Sequence, residues 1–249
     1  TYGWQDWKSN GQIAGTSGQA KRLEAVKIKL TGEIADQYDI YYRVHVQTFG
    51  WLDWAKNGEE AGSEGYGKRL EAIQIKLVKK GNTAPGATSD AFRKAKLSYR
   101  VHVQSYGWQD YKYDGGTAGT SGQAKRLEAL QIRNMVTDLT GDIEYRSHVQ
   151  TYGWEKDWKK NGQISGTSGQ AKRLEAVQIR LTGELEETYD IYYRVHSQTY
   201  GWLGWAKNGE EAGTEGQAKR LEAIEIVLVE KGDRAPGSTK NAFIKSEEE

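Results

Sequence analysis

One segment is written five times along the chain, and that repetition limits the possible folds more than any other feature. Tyr2-Gly3-Trp4 returns as Phe49-Gly50-Trp51, Tyr106-Gly107-Trp108, Tyr152-Gly153-Trp154 and Tyr200-Gly201-Trp202, with tryptophan spacings of 47, 57, 46 and 48 residues. Each copy continues with a second aromatic residue, then an Asn-Gly or Asp-Gly pair, a Gly-rich loop and the segment Lys-Arg-Leu-Glu-Ala. Four joining segments read Tyr-Arg-x-His-x-Gln, at residues 42–47, 99–104, 145–150 and 193–198. A longer period lies above this one. Residues 12–30 return at 163–181, and Ala84-Pro85-Gly86 returns as Ala235-Pro236-Gly237, so the copied block is 150 or 151 residues long and holds three repeats.

The local pattern has period two, which predicts strands. In Tyr42-Arg43-Val44-His45-Val46-Gln47 the apolar residues point one way and the polar ones the other. On the same rule Arg22 and Glu24 share a face with Val26, Ile28 and Leu30. Asn10-Gly11, Asn57-Gly58, Asn161-Gly162 and Asn208-Gly209 supply the positive φ of tight turns. The expected fold is all-β, built from pseudo-symmetric tandem β-repeats of about 48 residues. The three-repeat block favours closure in threes, as in a β-prism or β-trefoil. A five-bladed β-propeller is the alternative. The expected division is residues 1–150 as a three-repeat β domain, with 151–249 carrying two further repeats.

Composition narrows the function. The 249 residues include 35 Lys and Arg against 34 Asp and Glu, a net charge of +1 that argues against nucleic acid as a charge-held partner. Apolar runs such as Ile226-Val227-Leu228-Val229 are too short to insert into a membrane as a helix. The absence of cysteine removes disulfides, thiolate metal sites and thiol nucleophiles.

The combination His-Val-Gln-x-x-Gly-Trp, Asn-Gly, Gly-Thr-x-Gly and Arg-Leu-Glu-Ala-Ile-x-Ile resembles the ChW repeat, the clostridial hydrophobic repeat with a constant Trp. The resemblance covers nearly the whole chain. Its departures are small: Tyr111 stands for the second Trp, Asp114-Gly115 for Asn-Gly, and Trp158 lies one residue later than its counterparts. It implies a secreted or surface-attached bacterial protein with a binding or adhesive role, and it carries no catalytic residues to transfer.

The residues themselves point the same way. All four histidines, His45, His102, His148 and His196, occupy one strand position, which suits a recurring polar network or a repeated ligand contact better than a catalytic centre. Gln47, Gln104, Gln150 and Gln198 lie on the same face. No second His or acidic cluster stands at metal-ligand spacing, and no cofactor motif is present. An Arg-Glu pair recurs in every copy, from Arg22 and Glu24 to Arg220 and Glu222, and reads as an ion pair that fixes register. The first tryptophan of each copy suits a core anchor. The second set, Trp7, Trp54, Tyr111, Trp158 and Trp205, tolerates substitution and displacement as an exposed sugar-stacking position would.

The expectation is therefore a non-enzymatic extracellular or cell-surface module that binds glycans or cell-wall polymer through repeated weak sites. The alternative is a structural or self-assembling surface protein. Five Gly-Trp units against four Tyr-Arg-x-His-x-Gln strands leave one repeat short of a strand, with an open edge available for self-association.

Overall fold

A computed structural model of the chain describes residues 2–246. It divides into two compact units, Thr1–Ala95 and Lys96–Glu249. Both are β structures with short helices, α1 (Glu33–Gln37) in the first and α2 (Gly183–Thr188) in the second.

The principal strands of the first unit are β1 (Ala25–Val26), β2 (Tyr38–Val46), β3 (Ala61–Glu64) and β4 (Leu70–Lys79). Strands β2 and β4 form a long antiparallel pair, while β3 pairs with β1 of the preceding repeat.

The second unit holds three repeats, each with two long strands and a short one between them. They are β5 (Leu97–Val103), β6 (Ala118–Gly119) and β7 (Leu127–Asn134); then β8 (Ile143–Val149), β9 (Ser165–Gly166) and β10 (Leu174–Leu181); then β11 (Tyr189–Ser197), β12 (Glu211–Glu215) and β13 (Leu221–Glu230). The long strands of each repeat pair antiparallel. Each short strand crosses to a neighbour: β9 pairs with β7, β12 with β10, and β6 with β13. The last pairing returns the third of these repeats to the first. Three separate sheets thus surround a common core drawn from every repeat, including Val101, Leu130, Val149, Ile179, Val195 and Ile226. That is three-repeat, prism-like closure, and the five-bladed arrangement does not occur.

The closed block begins at Lys96, which differs from a division at residue 150. A copied length of 150 or 151 residues fixes the size of the block and leaves its phase free. The phase is set by the Tyr-Arg-x-His-x-Gln strand, which pairs with the Arg-Leu-Glu-Ala strand that follows it. The fifth repeat has both long strands, β11 and β13. Among the described residues no Tyr-Arg-x-His-x-Gln strand stands ahead of the first Gly-Trp pair. Residues 247–249, where the sequence suggested an unfinished repeat, lie outside the described residues. Residues 96–249 expressed alone are expected to melt in one cooperative transition, checked by calorimetry. Separate transitions within that fragment would contradict a closed three-repeat core.

Each joint between repeats is locked by a tyrosine. Tyr99, Tyr145 and Tyr193 are fully buried, and their hydroxyls donate to the carbonyls of Gly116, Gln163 and Glu210. The Ile226 amide donates to the Tyr99 hydroxyl across a joint at 3.0 Å. Burial pushes the Tyr145 phenol up to about 12, only partly offset by backbone hydrogen bonds. A phenol with a raised folded pKa contributes stability that is complete below the unfolded value of about 10 and falls as pH rises through the folded one. Stability measured by denaturant titration should therefore drop between about pH 10 and pH 12, and Tyr145→Phe should flatten that drop.

Candidate functional site

Alternation along the first long strand sends Tyr99, Val101 and Val103 into the core and leaves Arg100 and His102 on the outer face. The Gly-Trp dipeptide folds back to pair with the end of that strand, opposing His102 to Trp108. The same register opposes His45 to Trp51, His148 to Trp154 and His196 to Trp202. Each imidazole meets its indole edge to face, with centroids 5.5, 5.6, 5.5 and 5.5 Å apart in chain order.

Glutamate completes the cluster through a β-bulge. Leu127 pairs with Val103 and Ala129 with His102, so Glu128 is the extra residue between them. A bulge re-aims a side chain, and here it turns Glu128 away from the core row and onto the outer face. Alternation alone placed this position beside Val26, Ile28 and Leu30 in the first copy; the bulge seen in the later copies overturns that placement for them. His102 Nδ1 then lies 3.0 Å from Glu128 Oε2, close but outside hydrogen-bond geometry. Arg126 Nη2 holds the other oxygen at 2.7 Å. The histidine contacts recur at 3.1 Å for His148 and Glu175, 3.2 Å for His196 and Glu222, and 3.2 Å for His45 and Glu71. Burial alone would raise the Glu175 carboxyl, but His148 and Arg173 together hold it below the ordinary value. The Arg-Glu ion pair expected from the sequence is present in all five copies.

The strand arginine lies between the two aromatic residues of its repeat. Arg100 Cζ is 4.8 Å from the Trp108 centroid and 4.9 Å from that of Tyr111. Arg194 is 4.7 Å from Trp202 and 4.9 Å from Trp205. Arg43 and Arg146 stack equivalently, on Trp51 with Trp54 and on Trp154 with Trp158. In each case the guanidinium Nε is fixed by a carbonyl or carboxylate oxygen across the strand pair at 2.7 Å: Gln74, Gln131, Gln178 or Glu225.

The two aromatic sets depart from their expected places in part, and Trp7 alone of the second set is exposed as expected. Trp54 and Trp205, read as exposed platforms, are buried. The Pro-containing loops cover them, with the Trp54 amide donating to Ala87 O and the Trp205 amide to Ser238 O. Tyr111 and Trp158, in repeats without that loop, are half-buried, and a second guanidinium lies over each ring: Arg133 at 4.3 Å and Arg180 at 4.0 Å. Trp7 is exposed beneath the Lys29 ammonium, in the repeat that no Arg and His strand precedes among the described residues. The first tryptophans, read as core anchors, are only half-buried at Trp108, Trp154 and Trp202, and Trp4 and Trp51 are exposed. Gln47, Gln104, Gln150 and Gln198 are half-buried at strand ends, where their backbone N–H groups donate to the carbonyl oxygens of Arg69, Arg126, Arg173 and Arg220. They register the strand pair beside the cluster.

Sequence reasoning missed the tyrosine before each Gly-Trp. Tyr106, Tyr152 and Tyr200 are exposed at the rim, and their hydroxyls donate to Gln123, Gln170 and Gln217. A signal was available among the internal copies. Where Tyr becomes Phe49, the matching Gln becomes Tyr66, and the two rings pack edge to face at 5.1 Å. Among the described residues no group of three His, Asp or Glu is arranged to hold a metal ion.

The fold and its recurring cluster define a tandem-repeat β protein in which one polar-aromatic arrangement is presented several times. The family Clostridial hydrophobic W, abbreviated ChW, matches in five tandem stretches, residues 1–32, 45–79, 102–133, 148–183 and 196–230, and the chain belongs to it. It is a repeat module of bacterial proteins. Neither the curated proteins nor the solved structures searched gave a match.

Proposed function

We propose that the chain is a secreted or cell-surface binding module that recognises glycans or cell-wall polymer without transforming them. The observation that carries this reading is the rim formed by exposed Tyr106, Tyr152 and Tyr200 beside half-buried tryptophans, repeated with the same chemistry in each closed repeat. Flat rings receive the C–H faces of sugars, and the adjoining Gln, Lys and Arg groups meet hydroxyls. Lys125 and Lys172 already lie 5.7 and 5.5 Å from the Tyr106 and Tyr152 ring centroids. The carboxylates of the cluster are engaged by Arg and His, an arrangement that favours positioning over acid-base chemistry.

Weak equivalent sites bind a repeating polymer through avidity, because the second contact forms at high effective concentration. Co-sedimentation with insoluble bacterial wall material tests this. The triple variant Tyr106→Ala, Tyr152→Ala, Tyr200→Ala is expected to lose binding by about 100-fold or more, and each single variant far less. The melting temperature should hardly move, since the rings are exposed. Undiminished sedimentation of the triple variant would overturn the assignment of the rim.

A further inference from the structure

Residues 2–95 correspond to residues 152–246 at an offset of 150 or 151, so the first unit repeats part of the closed block. It contains one joint of the kind that closes Lys96–Glu249: Ala25 pairs with Gly62 as Ala129 pairs with Gly166, Ala176 with Gly213 and Ala223 with Gly119. The surfaces that would make the other two joints are open.

On one side, Ile73, Ile75 and Leu77 of β4 are 46%, 55% and 47% exposed, whereas their counterparts Ile224, Ile226 and Leu228 are 1%, 0% and 4% exposed. In the closed block that strand receives β6, with Gly115 N donating to Ile226 O at 2.7 Å and Thr120 N to Glu222 O at 2.8 Å.

The other side carries an independent mark. Gly62, Gly119, Gly166 and Gly213 sit so close to the adjoining repeat that an added Cβ would lie 2.4, 2.4, 2.6 and 2.4 Å from a backbone oxygen. Gly15 is the fifth of this series and has a φ of +111°, yet an added Cβ would meet only its own repeat's Leu23 side chain. Leu23 is 48% exposed where Leu174 is fully buried. Gly15 therefore has the backbone of a joint without the neighbour.

A single stretch of the closed block touches both corresponding surfaces. Within Lys96–Gln150, β6 pairs with β13, β7 with β9, and β8 with β10, while Tyr99 accepts the Ile226 amide. We propose that the open faces of residues 2–95 are a docking site for one polypeptide of this same repeat type, with the strand order and side-chain pattern of Lys96–Gln150. Such an occupant would set a tyrosine on the Ile75 amide, a short strand on β4 and a Tyr-Arg-x-His-x-Gln strand beside residues 23–30. A second copy of the chain fits poorly. Its own Lys96–Gln150 is committed to a closed block, and two facing partial units would bring one repeat too many. This inference is independent of glycan binding.

The test extends the full chain with a duplicate of Lys96–Gln150 fused ahead of Thr1, where the new junction reproduces Gln150-Thr151-Tyr152. Hydrogen exchange at the Ile73, Ile75 and Leu77 amides should slow at least tenfold on extension. Ile75→Asp should shift melting of the unextended chain by less than about 2 °C and lower that of the extended unit by more than about 10 °C. Unchanged exchange, equal tolerance of Ile75→Asp in both chains, or an extension that aggregates would each overturn the proposal. So would protection of those amides in the unextended chain by dimerisation or by wall polymer, which would assign the face to another occupant.

Discussion

Gly213→Ala is expected to destabilise the closed block by about 2–6 kcal/mol, a large share of a domain's stability. Two effects combine. The backbone at Gly213 has a φ of +130°, where an L side chain is strained by about 1–3 kcal/mol. The new methyl group would also lie 2.4 Å from Glu175 O and 2.7 Å from Ala176 Cα, both backbone atoms of the paired strand that cannot rotate away. Overpacking of that kind adds about 1–3 kcal/mol. Gly15→Ala is the internal control. Its φ of +111° lies in the same unfavourable region, but its nearest neighbour is the flexible end of Leu23 at 3.1 Å, so only the backbone cost of about 1–3 kcal/mol should appear. Denaturant unfolding of the two variants measures the difference. Equal losses would mean that the close approach between repeats contributes little.

These glycines also show what could be read before the structure was known. Their position in every copy was visible, and so was the alternation that makes Tyr42, Val44 and Val46 core residues. The three-repeat block was legible in the 150- and 151-residue offsets because identity over whole segments is insensitive to local geometry. Its starting point was not, because a period has no phase until one knows which strands pair. The cluster was legible in membership and obscure in arrangement. His102, Arg100, Trp108 and Glu128 recur in register, but strict alternation points Glu128 inward, and one bulged residue reverses that. Trp54 and Trp205 were misplaced for a different reason. Burial of Trp54 and Trp205 comes from Pro-containing loops more than thirty residues away in the chain, and no pattern within the repeat reports a distant loop closing over a ring.

Glu175→Gln separates scaffolding from recognition in the cluster. The carboxylate is held between Arg173 at 2.7 Å and His148 at 3.1 Å, with only 9% of its side chain exposed. The amide keeps the shape and removes the charge, leaving the mostly buried Arg173 guanidinium without its counter-ion. Breaking a buried pair in this way costs about 3–5 kcal/mol, and the 21% exposure of Arg173 brings the expectation to about 2–3. The pH dependence carries a second signature. Because the folded carboxyl titrates below its ordinary value, its contribution is present above the unfolded pKa of about 4.3 and is lost as pH falls through the folded one. The wild-type chain should therefore lose stability below about pH 4.3 more steeply than Glu175→Gln, and the two curves should converge in acid. Thermal unfolding of both proteins from pH 7 downward measures this. If stability is unchanged at neutral pH while wall binding falls, the recurring His-Glu-Arg group is a ligand contact. If stability falls as expected and the remaining folded protein still sediments with wall material, the group is the buried polar frame that holds each tryptophan at the rim.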